Sequence, residues 1–216
     1  MGGRGAAGIR HMKGEGFSLI APEPGKTQPM FLAGMNRDIA NGVSPQKTLD
    51  FIEKVYKKGM TREQLQILDD EGWVIRAYQG DSGSVAYNPQ YVKGRVVTHN
   101  HPGRWGGTFS EADVRGMKWG AKEKRASAAE GVYSLKATRK ADPEAFSAAL
   151  DNAIPGLMRR MGQISTRVSK MHIVNPQRRA IVNRRLQLSA IHRWYQRNAG
   201  KYGFEYTFTK NKDYKI

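Results

Sequence analysis

Val97-Thr98-His99-Asn100-His101-Pro102 places two imidazoles within three residues at the end of an apolar run. Arg95 to His99 reads as a buried strand, because Val96 and Val97 lead into it and Pro102 stops the ladder by removing a backbone donor. Alternate strand residues share a face, so His99 and His101 project together while Asn100 points to the other side. Paired imidazoles of this kind suit two ligands of one metal ion.

The loop 103–109 then leads to Ser110-Glu111-Ala112-Asp113. Ser110 stands where a helix N-cap belongs and Asp113 falls at N3, with Val114, Met117 and Ala121 as an apolar stripe behind them. A strand end with two imidazoles and a helix start with a carboxylate can converge on Zn²⁺ at about 2.0–2.2 Å, leaving the fourth position to water. Such an open site is catalytic in form, since zinc lowers the pKa of its water to about 7 and polarises a carbonyl. Two simpler readings are a plain helix cap at Ser110-x-x-Asp113 and a histidine pair that only hydrogen-bonds. Each explains half of the pattern.

Upstream, Ser44-Pro45 opens a helix with Leu49, Ile52, Val55 and Tyr56 at helical spacing, ended by Gly59. Residues 61–75 read as a hairpin turning at Asp70-Glu71-Gly72. Leu65 and Ile67 alternate with polar neighbours, so Glu63 shares their inward face. Activation of a metal-bound water gives an inward carboxylate its reason. If Thr61 instead caps a helix with Gln64 as partner, Glu63 is exposed and inert. Glu63 is the expected general base, with Glu71 and Glu53 as substitutes. Gly80 to Ser84 reads as a turn, Val85-Ala86-Tyr87 as a short strand, and Asn88 to Val92 as a helical turn.

The pattern H-x-H-P-x(7)-S-x-x-D, in the residues quoted above, resembles the JAMM (MPN+) zinc metallopeptidase family. The resemblance implies that His99, His101 and Asp113 bind zinc, that Ser110 holds the substrate or the oxyanion, and that Glu63 handles the proton of the metal-bound water. The run from Glu63 through Gly80-Asp81-Ser82-Gly83 to the histidines is similar to a JAMM-like domain of phage head-morphogenesis (minor head) and mobile-element proteins. It extends loosely through Gly131 to Lys136, Ile191 to Trp194 and Tyr202 to Thr207, so about residues 61–208 are covered. The implied fold is α/β, a JAMM/MPN-like mixed sheet flanked by helices, with an added basic helical segment. The expected organisation is a flexible basic arm over 1–43, a metal-binding core over 44–140, a basic helical segment over 141–201, and a closing strand and tail over 202–216. The arm is expected to lie on the body through Phe17, Leu19, Ile20 and Met30-Phe31-Leu32.

The chain has 216 residues, no cysteine and a formal net charge of +17 from 36 Lys plus Arg against 19 Asp plus Glu. Without cysteine, any metal must be held by histidines and carboxylates, and thiolate zinc sites, disulfides and cysteine nucleophiles are excluded. No apolar run reaches the roughly eighteen residues of a membrane span, and the first residues lack a signal-peptide core, so cytoplasmic synthesis is expected, with virion association as a further expectation. No G-x-x-x-x-G-K loop is present.

Asp142-Pro143-Glu144 opens a helix with Phe146, Leu150 and Ile154 that Pro155-Gly156 should kink or end. Gln177 to Asn198 reads as a long helix with Ile181, Leu186, Leu188, Ile191 and Trp194 at or near its buried side, followed by a strand over Tyr202 to Thr209. Between Asp151 and Glu205 no acidic residue occurs, whereas Arg159, Arg160, Arg167, Lys170, Arg178, Arg179, Arg184 and Arg185 do. That imbalance implies an anionic partner, most commonly nucleic acid bound by salt-sensitive phosphate contacts through 152–204; the alternative is a solvated basic surface. His172 and His192 lack ligand spacing. Trp105 in the loop after the histidines either flanks substrate or packs over the loop.

The sequence therefore points to a zinc-dependent hydrolase acting on a peptide or isopeptide bond, phage-encoded or virion-associated, with a protein substrate and capsid or portal proteins as possible partners. Its rivals are a nucleic-acid-binding or virion structural protein without a working metal site, and a metal-dependent nuclease using the same cluster. His99-Asn100-His101 is a contiguous tripeptide, unlike the separated residues of HNH nucleases, and is no argument for DNA cleavage.

Overall fold

In the computed structural model, which describes residues 45–56, 60–102 and 107–212, six strands form one mixed sheet in the order β2-β1-β3-β4-β5-β6. The strands are β1 Gln64–Leu68, β2 Val74–Gln79, β3 Val96–Asn100, β4 Glu123–Ala128, β5 Gly131–Ala137 and β6 Phe204–Lys210. β3 and β4 run parallel, and every other neighbouring pair is antiparallel. Among the described residues four α-helices accompany them: α1 Pro45–Tyr56, α2 Glu111–Arg115, α3 Pro143–Ser169 and α4 Pro176–Asn198. The expectations for the arm over 1–43, for Ser44 and Gly59, for Trp105 and for the last four residues fall outside the described residues.

Helix α1 buries Leu49, Ile52 and Tyr56 against Leu68, Val74 and Ala77 in one apolar cluster. A larger cluster joins Leu65, Ile67, Val97, Ala126 and Tyr133 of the strands to Val114 and Met117 and to Phe146, Leu150 and Tyr195 of α3 and α4. Because strand side chains alternate, Leu65 and Ile67 serve the second cluster while Leu68, beyond a register shift, serves the first. The hairpin turns at Asp70-Glu71-Gly72, where Asp69 Oδ1 accepts from the N–H groups of Glu71 and Trp73.

Two local expectations differ from what forms, one open alternative is narrowed, and one strand went unrecognised. Val85-Ala86-Tyr87 is buried but joins no ladder, because its side chains pack into the core without a strand partner. Helix α3 does not end at Pro155-Gly156; it continues to Ser169, held by Leu150 before the proline and Val168 after it, whose burial offsets a helix-interior proline cost of about 3 kcal/mol. Leu186 is 36% exposed, and Gln187 takes the buried position instead, donating to Ser165 Oγ at 3.1 Å across the seam between α3 and α4. Finally, Glu123 to Ala128 forms β4, a central strand unrecognised in a Lys- and Glu-rich run, since its charges are neutralised by residues distant in sequence.

Candidate metal centre

The register of β3 sets His99 opposite Leu65 of β1 and Ala126 of β4, which puts its imidazole on the face of the larger core cluster. His101 lies one residue past the strand, yet its N–H donates to Ser127 O at 2.8 Å and so extends the pairing with β4. The two rings therefore share a face, with Nε2 atoms 2.9 Å apart. His101 Nδ1 lies 3.1 Å from the Gly107 carbonyl oxygen, an acceptor that places the ring proton on Nδ1 and leaves Nε2 a lone pair.

Helix α2 delivers the carboxylate. Ser110 is its N-cap, accepting from the Asp113 N–H at 3.2 Å, while Asp113 Oδ2 accepts from the Ser110 N–H and hydroxyl, each at 2.8 Å. The capping box thus locks Asp113 with Oδ1 at 3.0 Å from His99 Nε2 and Oδ2 at 3.6 Å from His101 Nε2. Ser110 spends its single hydroxyl proton on Asp113, so in this arrangement it orients the carboxylate and offers no donor to an oxyanion.

Glu63 enters just before β1. Its N–H donates to Asp81 O at 2.6 Å and its carbonyl accepts from the Gly80 N–H at 2.8 Å. A Cβ on Gly80 would sit 1.9 Å from Ser84 O, so only glycine permits that grip. From the far face of β3, Asn100 accepts from the Gln64 N–H at 2.6 Å and donates to Arg62 O at 3.0 Å, clasping the backbone on both sides of Glu63. The Glu63 carboxylate is fully buried, lies 3.9 Å from His99 Nε2, and receives no hydrogen bond at either oxygen. Burial pushes its pKa up to about 8, with Asp113 adding to the rise and His101 opposing it.

Lys124 on β4 completes the cluster. Its ammonium is fully buried, 3.1 Å from the Asp113 carbonyl, 3.2 Å from Tyr87 Oη and 3.5 Å from Asp113 Oδ1. Gly116 makes room for it, since a Cβ there would stand 2.6 Å from Nζ. Burial acts against both charges, but His99 and Lys124 hold the Asp113 carboxyl well below the usual carboxylate range, and Tyr87 and Asp113 keep Lys124 above the usual lysine value. Burial lowers His99, whereas at His101 burial also pulls the ring down but the neighbouring Asp113 carboxylate outweighs it and raises the ring.

A chain of hydrogen bonds reaches His101 through Gly107. The Gly107 N–H donates to Glu130 Oε1 at 2.9 Å, and the Tyr133 hydroxyl donates to the same oxygen at 2.8 Å. A Cβ on Gly107 would lie 2.9 Å from His101 Nδ1. Carboxylate, peptide and imidazole form the type of outer chain that fixes a ligating histidine.

The donor set fits a metal ion. Ligand atoms of Glu63, His99 and His101 lie within 4.8 Å of one another, close enough to hold one. Asp113 adjoins this set, with His99 Nε2 2.9 Å from His101 Nε2 and 3.0 Å from Asp113 Oδ1, against a tetrahedral edge of about 3.4 Å for bonds of about 2.1 Å, while the other carboxylate oxygen, Oδ2, lies 3.6 Å from His101 Nε2. A buried carboxylate without a donor is costly, and a cation among these atoms supplies its missing partner. The two substitutes for Glu63 are elsewhere: Glu71 is exposed in the hairpin turn, and Glu53 reaches from α1 to Arg125 at 2.5 Å, on the opposite face of the sheet.

The arginines and lysine singled out from the sequence do not join this centre. Arg159, Arg160, Arg167, Lys170, Arg178, Arg179 and Arg185 are exposed on α3, α4 and their connection, and Arg179 donates to Ile173 O at 2.7 Å. Arg184 is half-buried and lines a groove of about 690 Å³ that also includes His101 and Ser110. His172 is exposed, and His192 Nδ1 lies 2.9 Å from the Tyr206 hydroxyl.

Sequence reasoning missed Lys124, Asn100 and Glu130. The period-two pattern Lys124, Ala126, Ala128 was the available signal for Lys124, hidden by the charged residues on either side. No family model, no curated protein and no solved structure matches the chain.

Proposed function

We propose that the protein is a zinc-dependent hydrolase that cleaves an amide, as a peptide or isopeptide bond. The observation that carries this reading is the meeting of His99, His101 and Asp113 beside a buried Glu63 carboxylate that has no hydrogen-bond donor. Zinc held by the two imidazoles and Asp113 supplies, when bound, polarisation of the scissile carbonyl and a more acidic water. Glu63 takes the proton of the attacking water and returns it to the leaving amine nitrogen. Ser110 and Lys124 keep Asp113 facing the imidazoles, and Gly107 with Glu130 keeps His101 in the tautomer with a free Nε2. The surrounding apolar packing excludes bulk water and so strengthens these electrostatic contacts.

A JAMM/MPN-like architecture, and a phage- or mobile-element setting with a virion or host protein as substrate, belong to the same proposal. They are supported by the motif, which keeps the family's order of glutamate, histidine pair, serine and aspartate. The test is zinc content of the purified chain together with mass-spectrometric detection of cleavage in a proteome-derived peptide mixture. About one zinc per chain, lost on Asp113→Ala, with cleavage that Glu63→Gln abolishes while zinc is retained, is the expected result. A chain that takes up no zinc ends the reading. The exposed arginines of α3 and α4 favour one rival, a metal-dependent nuclease; plasmid nicking by the wild type but not by His99→Ala would put it in place of the amide hydrolase.

A further inference from the structure

Helices α3 and α4 pack into a hairpin whose surface the metal centre does not use. Between Leu150 and Val168 no residue of α3 is buried. Among the described residues the exposed large hydrophobics are Met158 at 44%, Val174 at 91% and Leu186 at 36%, and all three lie on this hairpin or its turn. Large exposed apolar groups confined to one element point to a partner surface there, and Met158 among them lines a groove.

The groove of about 690 Å³ runs between this hairpin and the residues around His101 and 107–111. Leu157, Met161 and Leu188 line its helical wall and His101 and Ser110 its other side; among the described lining residues the ionised groups are Arg184 and Glu111, the latter already paired with Arg115. Its size lies within the range of about 300–1,000 Å³ typical of ligand sites. Methionine and leucine side chains call for apolar groups, and methionine adapts to several shapes. The flanking surface of exposed Arg159, Arg160 and Arg185, in a stretch without any acidic residue from 152 to 204, calls for negative charge.

Nucleic acid satisfies only the second demand, because phosphates would engage the arginines and leave the apolar groove facing water. A polypeptide satisfies both. We propose that the groove binds an extended peptide segment in which apolar side chains alternate with aspartate or glutamate, and that it leads this segment past His101 to the metal centre. The word substrate for this segment rests on the hydrolase reading; the binding does not.

The test is fluorescence anisotropy on the full chain at about 0.15 M salt. The probes are a labelled peptide of about twelve residues alternating leucine with glutamate, a sister peptide with lysine for glutamate, and a labelled single DNA strand. The acidic peptide is expected to bind, the lysine peptide at least about tenfold more weakly, and Met161→Glu to weaken the acidic peptide by about tenfold or more. Met158→Glu, at a position already 44% exposed, gives the same loss in a variant that has no reason to misfold. Binding that persists in a chelator separates the groove from the hydrolase reading, so either can fail alone. Equal binding of the two peptides, no binding of the acidic peptide up to about 1 mM, indifference to both methionine variants, or DNA that displaces the peptide and ignores Met158→Glu would each overturn the proposal.

Discussion

The centre of the sheet and the α3–α4 hairpin handle charge in opposite ways. Around β3, the ionisable groups of Glu63, Asp113 and Lys124 are fully or nearly fully buried within a few ångströms of two imidazoles. On the hairpin, Arg159, Arg160, Arg167, Lys170, Arg178 and Arg179 stand in water. A buried charge is tolerable only with its partner in place, so each residue of the centre constrains the others. An exposed charge is screened by solvent and constrains little. Chemistry is therefore expected where the partners are mutually fixed, and recognition where the charges are free to meet something else.

Removing one member of the buried set should have the largest effect. Asp113→Ala leaves the Lys124 ammonium without its carboxylate and removes the aspartate half of the α2 capping box, so chemical denaturation is expected to show a loss of about 3–5 kcal/mol together with loss of metal binding. A loss under about 1 kcal/mol would mean that the buried charges are not interdependent, and the contrast with the hairpin would break.

Gly107→Ala comes next. The new Cβ would crowd His101 Nδ1 at 2.9 Å and disturb the contact that fixes the ring. Metal affinity, read by competition with a chromogenic chelator, should fall about 10–100-fold, with a stability cost of roughly 1–3 kcal/mol. Unchanged affinity would remove Gly107 and Glu130 from the support of the centre.

Glu63 sharpens the comparison through pH. Burial raises its carboxyl from the ordinary 4.5 to about 8, so between those values the metal-free folded chain keeps a proton that the unfolded chain has released. Its contribution to stability is present below about pH 4.5 and is lost as pH rises through 8, because the folded state binds more protons in that window. In chelator-treated protein, Glu63→Gln should flatten this decline between about pH 5 and pH 8. Parallel pH profiles for the two proteins would show that the glutamate is not held protonated by burial.

The smallest effect belongs to the hairpin. Arg159→Gln, Arg167→Gln and Arg178→Gln together should change unfolding free energy by no more than about 0.5 kcal/mol each and leave metal content untouched. Retention on a cation-exchange column or on an acidic peptide is where these variants should differ. A cooperative loss of fold would place the arginines in a structural network and erase the distinction.

Much of the fold was legible because it repeats locally. The hairpin turn at Asp70-Glu71-Gly72, the Ser110 cap with Asp113 at N3, and the long helix closed by Asn198 all follow from neighbouring residues. β4 was not legible, since Glu123, Lys124 and Arg125 look solvated until Glu53 and Asp113 are brought to them from 72 and 11 residues away. Nor was the passage of α3 through Pro155, which depends on contacts made at Leu150 and Val168.

By itself the sequence determined which groups share a strand face or a helix turn, because those relations are set by periods of two and 3.6 residues along the backbone. That was enough to pair His99 with His101 and to tie Ser110 to Asp113. Only the tertiary structure decided that the pairs meet, that Glu63 points among them without a hydrogen-bond donor, and that a buried lysine stands behind the aspartate. The reason is that electrostatic energy depends on separation and burial in space, and neither is a property of position along the chain.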